Sequence, residues 1–239
     1  MKSLIIHLPD TQTRKKNVAA LMEILPGAEV VDAVNGYDPA QTADVGQAPG
    51  TLHSPTYPFR LTPGEVGCFL SHKRCWEIIA QGEAPYGLIA EDDLVLDDAV
   101  FLNALSLAER YADEDSFFRF PAKARERPAV TVARQRDAAL FLPRVIGLQA
   151  IFQLVGRNAA RRMLDLTTVI DRPVDTLLQM HWITKQPVHS IYPNGTSELS
   201  DGSTIQSKLH PREVLMREIR RATYRAKVRR KPQTGTTFP

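Results

Sequence analysis

Glu91, Asp92 and Asp93 stand side by side at the end of the apolar run Tyr86 to Ala90 (YGLIA). Carboxylates are costly to bury unpaired, so the triplet is either a solvated acidic turn or a cation site. In an α/β sheet, ligands bind at the carboxyl ends of strands. A set of oxygen donors suits a hard divalent ion, Mg²⁺ or Mn²⁺. A metal held there can bridge a diphosphate and offset the charge that gathers on it as a bond breaks.

The elements that must position this triplet follow from periodicity. Lys2 to Leu8 (KSLIIHL) reads as a buried strand, Thr13 to Leu25 as a helix and Ala28 to Val34 as a second strand closed by Asn35-Gly36. This β-α-β opening predicts an α/β fold with a mostly parallel central sheet flanked by helices. Residues 37 to 63 read as a long loop, of the kind that often serves binding. A helix then runs from Pro63 to about Ile79 or Gln81, apolar nearly all round and therefore buried, interrupted by Ser71-His72-Lys73-Arg74. After the Tyr86 strand come a helix from Asp98 to Arg110, a strand over Leu148 to Val155 and a helix from Arg157 to Leu166. Val188 to Tyr192 gives a last short strand. Residues 113 to 145 mix strand-like pieces with basic loops that periodicity does not order.

Leu61 to Trp76 (LTPGEVGCFLSHKRCW), followed by YGLIAEDDLVL, resembles the glycosyltransferase family 25 pattern, in which a Gly-Glu-x-Gly-Cys-x-x-Ser-His helix precedes an apolar strand ending in Glu-Asp-Asp. Ile5 to Leu8 with Arg14, the Asp32 to Gly36 turn, Gly147 to Leu164 and Pro173-Val174-Asp175 fit the same pattern more loosely, over roughly residues 3 to 205. His7 stands where family members usually have Asn, and Asn35 where Asp is common.

The resemblance implies a single GT-A-like domain over 1–210, a UDP-sugar donor, Mn²⁺ (or Mg²⁺) and transfer with inversion to a glycan or glycolipid acceptor, galactose onto lipooligosaccharide being the expected case. It places metal ligation at Asp93 and Glu91, with Asp92 beside them, and nucleotide contacts at Leu8 and Arg14. Ser71 and His72 would face the donor, and Lys73 or Arg74 its diphosphate. His189 would complete the metal shell, or else be a structural histidine. Inversion needs a carboxylate base near the acceptor hydroxyl; Asp175 is the first candidate, with Glu198 and Asp201 behind it, although an acid after Val174 also suits a helix start.

With 239 residues, 43% of them hydrophobic, the chain can bury one substantial core. No secretory signal or bilayer-length apolar run is legible, which predicts a cytoplasmic or peripheral inner-membrane protein. Cys68 and Cys75 fit a reducing compartment as free thiols. Arg212 to Lys231 holds nine Lys/Arg and two acids, a local net of +7 that leaves −4 for the rest of a chain whose net is +3. This segment, with Val214, Leu215, Ile219, Ala222 and Ala226 among the arginines, reads either as a solvated tail (211–239) or as a helix drawn to anionic lipid. No nucleic-acid-binding module accompanies it. Two rivals stand beside the transferase: a Mg²⁺-dependent phosphohydrolase, although the Asp-x-Asp-Gly-Thr context of the haloacid dehalogenase type is missing, and a catalytically silent membrane- or polyanion-binding protein on the same scaffold.

Overall fold

A computed structural model of the protein describes residues 1–9, 12–43, 45–199 and 211–235. The first part runs β1 (Ser3–His7), α1 (Gln12–Ile24), β2 (Ala28–Asp32), α2 (Pro39–Thr42), β3 (Gly46–Gln47), α3 (Pro63–Gln81), β4 (Tyr86–Glu91) and β5 (Leu94–Leu96). Then come α4 (Asp98–Tyr111), β6 (Phe117–Arg119), β7 (Pro128–Gln135), β8 (Ala138–Pro143), β9 (Phe152–Gly156) and α5 (Arg157–Leu166). β10 (Val169–Ile170), α6 (Val174–Leu178), α7 (His181–Thr184), β11 (His189–Tyr192), β12 (Thr196–Glu198) and α8 (Pro211–Arg229) complete it.

The central sheet has the order β2-β1-β4-β9-β6-β11-β8-β7. β2, β1 and β4 are mutually parallel, as is β6 with β11, while β9, β8 and β7 join antiparallel. This is an α/β fold with helices on both faces, consistent with the GT-A-like single domain that the resemblance implies. β1 and β4, the inner strands of the first half, are buried on both sides, which is why they read as unbroken apolar runs. In β1, Leu4 and Ile6 enter the core under α3 and α5, whereas Ile5 enters the core under α1 and α4. Successive side chains of a strand point to opposite faces, so one short segment serves both cores.

α3 is set by strong local signals. Thr62 caps it: Thr62 Oγ1 accepts the Glu65 N–H (3.3 Å) and Glu65 Oε2 accepts the Thr62 N–H (2.7 Å). Such a reciprocal cap is worth about 1 kcal/mol. The helix start presses on the chain after β2, where a Cβ on Gly67 would lie 2.5 Å from the Val34 carbonyl oxygen. A Cβ on Gly36 would lie 1.7 Å from the Pro63 carbonyl oxygen. Glycine at both positions is therefore what lets α3 approach the β2 end.

The expected strand over Leu148 to Val155 begins only at Phe152, because Gln149 has φ +83°, a left-handed conformation that no extended strand accommodates. Residues 113 to 145 resolve into β6 and the β7–β8 hairpin. The basic segment forms α8, which is mostly exposed but buries Tyr224 and Val228. Beyond it, Gln233 bonds Pro143 O (2.9 Å) and Val188 O (3.0 Å), so the segment is packed against the body of the fold. Among the described residues no helix is long and apolar enough to cross a membrane.

Candidate donor and metal site

The acidic triplet lies where β4 ends between its two neighbours. Ile6 of β1 is in register with Glu91, and the Glu91 N–H bonds Ile151 O (2.9 Å) just ahead of β9. The turn is fixed from below by Asn17 of α1, whose Nδ2 donates to Asp92 O (2.9 Å) and Leu94 O (2.7 Å). It is fixed from above by β12, which pairs Glu198 with Leu94, and by the Leu199 N–H on Asp93 O (2.8 Å).

The triplet's members have separate surroundings. Asp92 is buried, and its carboxylate takes His7 Nδ1 (2.8 Å), the Leu8 N–H (3.4 Å) and the Arg14 guanidinium. It ties the β1 end and α1 to the turn. The histidine that departs from the family pattern is thus a partner of Asp92. Glu91 and Asp93 remain partly open. Glu91 Oε1 meets His72 Nε2 at 3.1 Å. Asp93 Oδ2 receives a long contact from Arg14 (3.5 Å), and among the described residues its buried Oδ1 has no hydrogen-bond partner. Burial and the neighbouring Glu91 charge push the Asp93 pKa up to about 6. A half-buried carboxylate with an unmatched oxygen beside a second open carboxylate is a donor set suited to a hard cation. Mg²⁺-type ions commonly take one or two protein carboxylates and leave their other positions to water and phosphate.

Two adjoining clefts open here. The smaller, about 260 Å³, is lined by Leu8, Arg14, Asn35, Ser71, His72 and Asp92 among others. The larger, about 740 Å³, is lined by Asp93, Gln149, Asp175, Glu198, Arg221 and Arg225 among others. Tyr37, Gly64, Cys68 and Glu91 border both. Leu8, Arg14, Ser71, His72, Glu91, Asp92, Asp93, Asp175 and Glu198 therefore converge on one continuous hollow, whereas Lys73 and His189 do not.

Lys73 points elsewhere: its Nζ caps the end of α5 at Thr167 O (3.2 Å), so the expected diphosphate contact is not formed. His189 is buried on β11 against the Phe118 ring and lines neither cleft. Burial alone lowers its pKa to about 4, which makes it a neutral core histidine. Asp201 lies outside the described residues. Ser71 borders the smaller cleft with its hydroxyl already used, accepting from the Val34 N–H (2.8 Å) and donating to Gly67 O (2.7 Å).

Asp175 sits in the first turn of α6, with Oδ2 accepting the Gln149 N–H (3.0 Å) and Oδ1 accepting from Thr176 Oγ1 (3.2 Å). Each carboxylate oxygen can accept a second hydrogen bond, so the group can still take a substrate hydroxyl. Glu198 is held by Lys123 (3.0 Å) and by the Gln149 side chain. Gln149 thus joins both candidate bases, a role that sequence reading missed. Its loop is held by the buried pair Arg119–Glu126: Arg119 donates to Leu148 O (2.9 Å) and Gln149 O (2.7 Å), and Glu126 accepts the Gly147 N–H. Cys68 is another omission. Its thiol faces the cleft, and burial together with Glu91, Asp175, Asp93 and Glu65 pushes its pKa upward. The i,i+4 spacing of Cys68 and His72 on a helix was the available signal.

The sequence model of glycosyltransferase family 25 (LPS biosynthesis protein) matches residues 1–178, which include all of this site except Glu198 and the α8 arginines. The human protein named inactive glycosyltransferase 25 family member 3 is 40% identical over 86 residues, covering 34% of this chain and 14% of the relative. Its mouse counterpart is 38% identical over 92 residues, 36% of this chain and 15% of the relative. The chain thus spans about a seventh of the length of these curated relatives.

Proposed function

Because the chain belongs to glycosyltransferase family 25, we propose that it is an active, inverting glycosyltransferase that uses a UDP-sugar, UDP-galactose in the first instance, and extends a lipooligosaccharide or related surface glycan. The observation that carries this reading is the meeting of the open carboxylates Glu91 and Asp93 with Asp175 in one hollow. Glu91 and Asp93 would hold Mn²⁺ or Mg²⁺, which when bound supplies positive charge against the diphosphate as the glycosyl bond breaks.

The remaining chemistry falls to the chain's own groups. The smaller cleft, between the β1 and β2 ends and the first turns of α3, receives the nucleotide; Arg14 and the Leu8 backbone stand at its edge. Asp92, at the wall of this cleft, keeps Arg14 and the turn in place. The donor sugar and acceptor enter the larger cleft. There Asp175 accepts the proton of the acceptor hydroxyl as its oxygen attacks the anomeric carbon from the side opposite the departing UDP. Gln149 and Thr176 hold that carboxylate in one orientation, which general-base catalysis requires. Glu198, already paired with Lys123 and Gln149, adds negative charge beside the forming oxocarbenium-like sugar.

The relatives' names, which call them inactive, favour one rival: a silent scaffold that binds an anionic surface through its basic segment. We place the protein at the cytoplasmic face of a membrane on either reading, since α8 exposes Val214, Leu215, Met216 and Ile219 among its arginines. Incubation with a panel of UDP-sugars and Mn²⁺ decides between the readings. Metal-dependent release of UDP that is lost in Asp93→Asn and Asp175→Asn supports transfer. Absence of metal-dependent UDP-sugar binding would leave the silent scaffold, and release of phosphate from monoesters would make the protein a phosphohydrolase.

A further inference from the structure

Cys68 and His72 occupy successive turns of one face of α3, and Glu91 reaches them from the end of β4. One ligand atom from each (the thiol sulfur, an imidazole nitrogen and a carboxylate oxygen) lies within 4.8 Å of the other two. His72 is fully buried, with Nε2 aimed at Glu91 (3.1 Å), while Cys68 and Glu91 border both clefts. Three protein ligands of mixed S, N and O type, with the open side facing a cleft, describe a four-coordinate Zn²⁺ site whose last position belongs to water.

We propose that Cys68, His72 and Glu91 form a Zn²⁺ site distinct in chemistry from the oxygen-only pair Glu91–Asp93. Thiolate and imidazole select zinc over manganese or magnesium, which prefer oxygen. The Cys68 thiol gives up its proton to solvent on binding, and the pair of negative ligands matches the ion's charge. The imidazole's other nitrogen, Nδ1, is buried and has no hydrogen-bond partner among the described residues. An unsupported ligand histidine weakens a metal site by about 10–100-fold, so this is a reversible regulatory site and not a permanent structural one. Both metal sets need Glu91. On the proposed transferase reading, Zn²⁺ and the donor's Mn²⁺ therefore exclude each other, and Zn²⁺ shuts the enzyme off.

Cobalt titration of the full chain tests the site without relying on activity. One Co²⁺ per chain should raise a near-ultraviolet thiolate-to-cobalt charge-transfer band with intense visible bands of tetrahedral type, both removed by stoichiometric Zn²⁺. Cys68→Ser should abolish the charge-transfer band and lower Zn²⁺ affinity by more than about 100-fold, beyond what the loss of an outer partner costs. Cys75→Ser should keep the band, because Cys75 is buried away from the clefts. Asp93→Asn should keep the band while losing Mn²⁺-dependent UDP binding. A wild-type chain with no charge-transfer band, or a band that survives in Cys68→Ser, overturns the zinc site. A zinc site that behaves as described in a chain that binds no UDP with Mn²⁺ leaves the site standing and overturns the transferase reading instead.

Discussion

Adjacent carboxylates in this protein differ in what surrounds them, and their substitutions should separate accordingly. Asp92 is buried and paired with His7 and Arg14. Asp92→Ala strips both partners of a buried charge and should cost about 3–5 kcal/mol in urea unfolding. Asp93 has an oxygen with no partner among the described residues, so Asp93→Asn should leave unfolding free energy unchanged or slightly raised while Mn²⁺-dependent UDP binding disappears. Asp175→Asn keeps an oxygen to accept the Gln149 N–H and should lower kcat by about 10²–10⁴ with UDP-sugar affinity retained, as expected for loss of a general base. His189 behaves differently. Its folded pKa, about 4, lies below the ordinary 6.5, so between those values the unfolded chain binds more protons. Its contribution is complete above pH 6.5 and is lost as pH falls toward 4, the loss reaching about 2–3 kcal/mol at pH 4.5. His189→Phe should remove that part of the acid destabilisation in denaturant titrations at pH 7 and 4.5, with the ring still packed on Phe118.

The elements carrying the triplet were the most legible. α3 announces itself by Pro63-Gly64-Glu65 and the apolar residues behind them, and β4 by an apolar run that both cores require. The α5 boundaries were read to the residue, because an amphipathic pattern begins directly after Gly156. The β7–β8 hairpin was not legible: β7 is largely solvent-exposed, so its sequence lacks the alternation that a half-buried strand shows, while β8 is buried throughout. β5 and β12 are three residues each and exist only through pairing with each other across a hundred residues of chain. The loop from Gly147 to Gln149 is apolar enough to resemble a strand, yet Arg119 and Glu126 hold it out of the sheet, information that sits in a long-range ion pair. Glu126→Gln leaves Arg119 buried beside a neutral partner. It should cost about 3 kcal/mol and reduce kcat more than UDP affinity, because the loop orients Asp175 and the nucleotide cleft is lined from elsewhere.

At the scale of the whole molecule, α8 decides how far the basic segment belongs to the fold. Tyr224 Oη accepts from the buried Arg172 (3.2 Å), which also bonds His53 O and Pro55 O and pairs with Asp171. The Tyr224 ring meets Tyr57 edge-on, and Arg217 and Arg221 lie over Phe59. One knot thus joins α8, the loop after β3 and the chain entering α6, and it brings Arg221 and Arg225 to the wall of the larger cleft. The opposite character lies one helix-half earlier, where Val214, Leu215, Met216 and Ile219 are exposed among basic side chains. The apolar stripe legible in the sequence is therefore the outward one, and the docking residues are Tyr224 and Val228. Two variants should uncouple the roles. Tyr224→Ala should lower stability by about 3–5 kcal/mol and speed proteolysis within α8, while leaving Mn²⁺-dependent UDP binding intact, since the nucleotide cleft is lined by residues up to Asp92. Leu215→Glu with Ile219→Glu should leave stability unchanged and reduce co-sedimentation with anionic vesicles, because it places carboxylates on the face that would meet the lipid. Vesicle binding that is indifferent to the double variant would mean that the outward face of α8 does not meet the membrane.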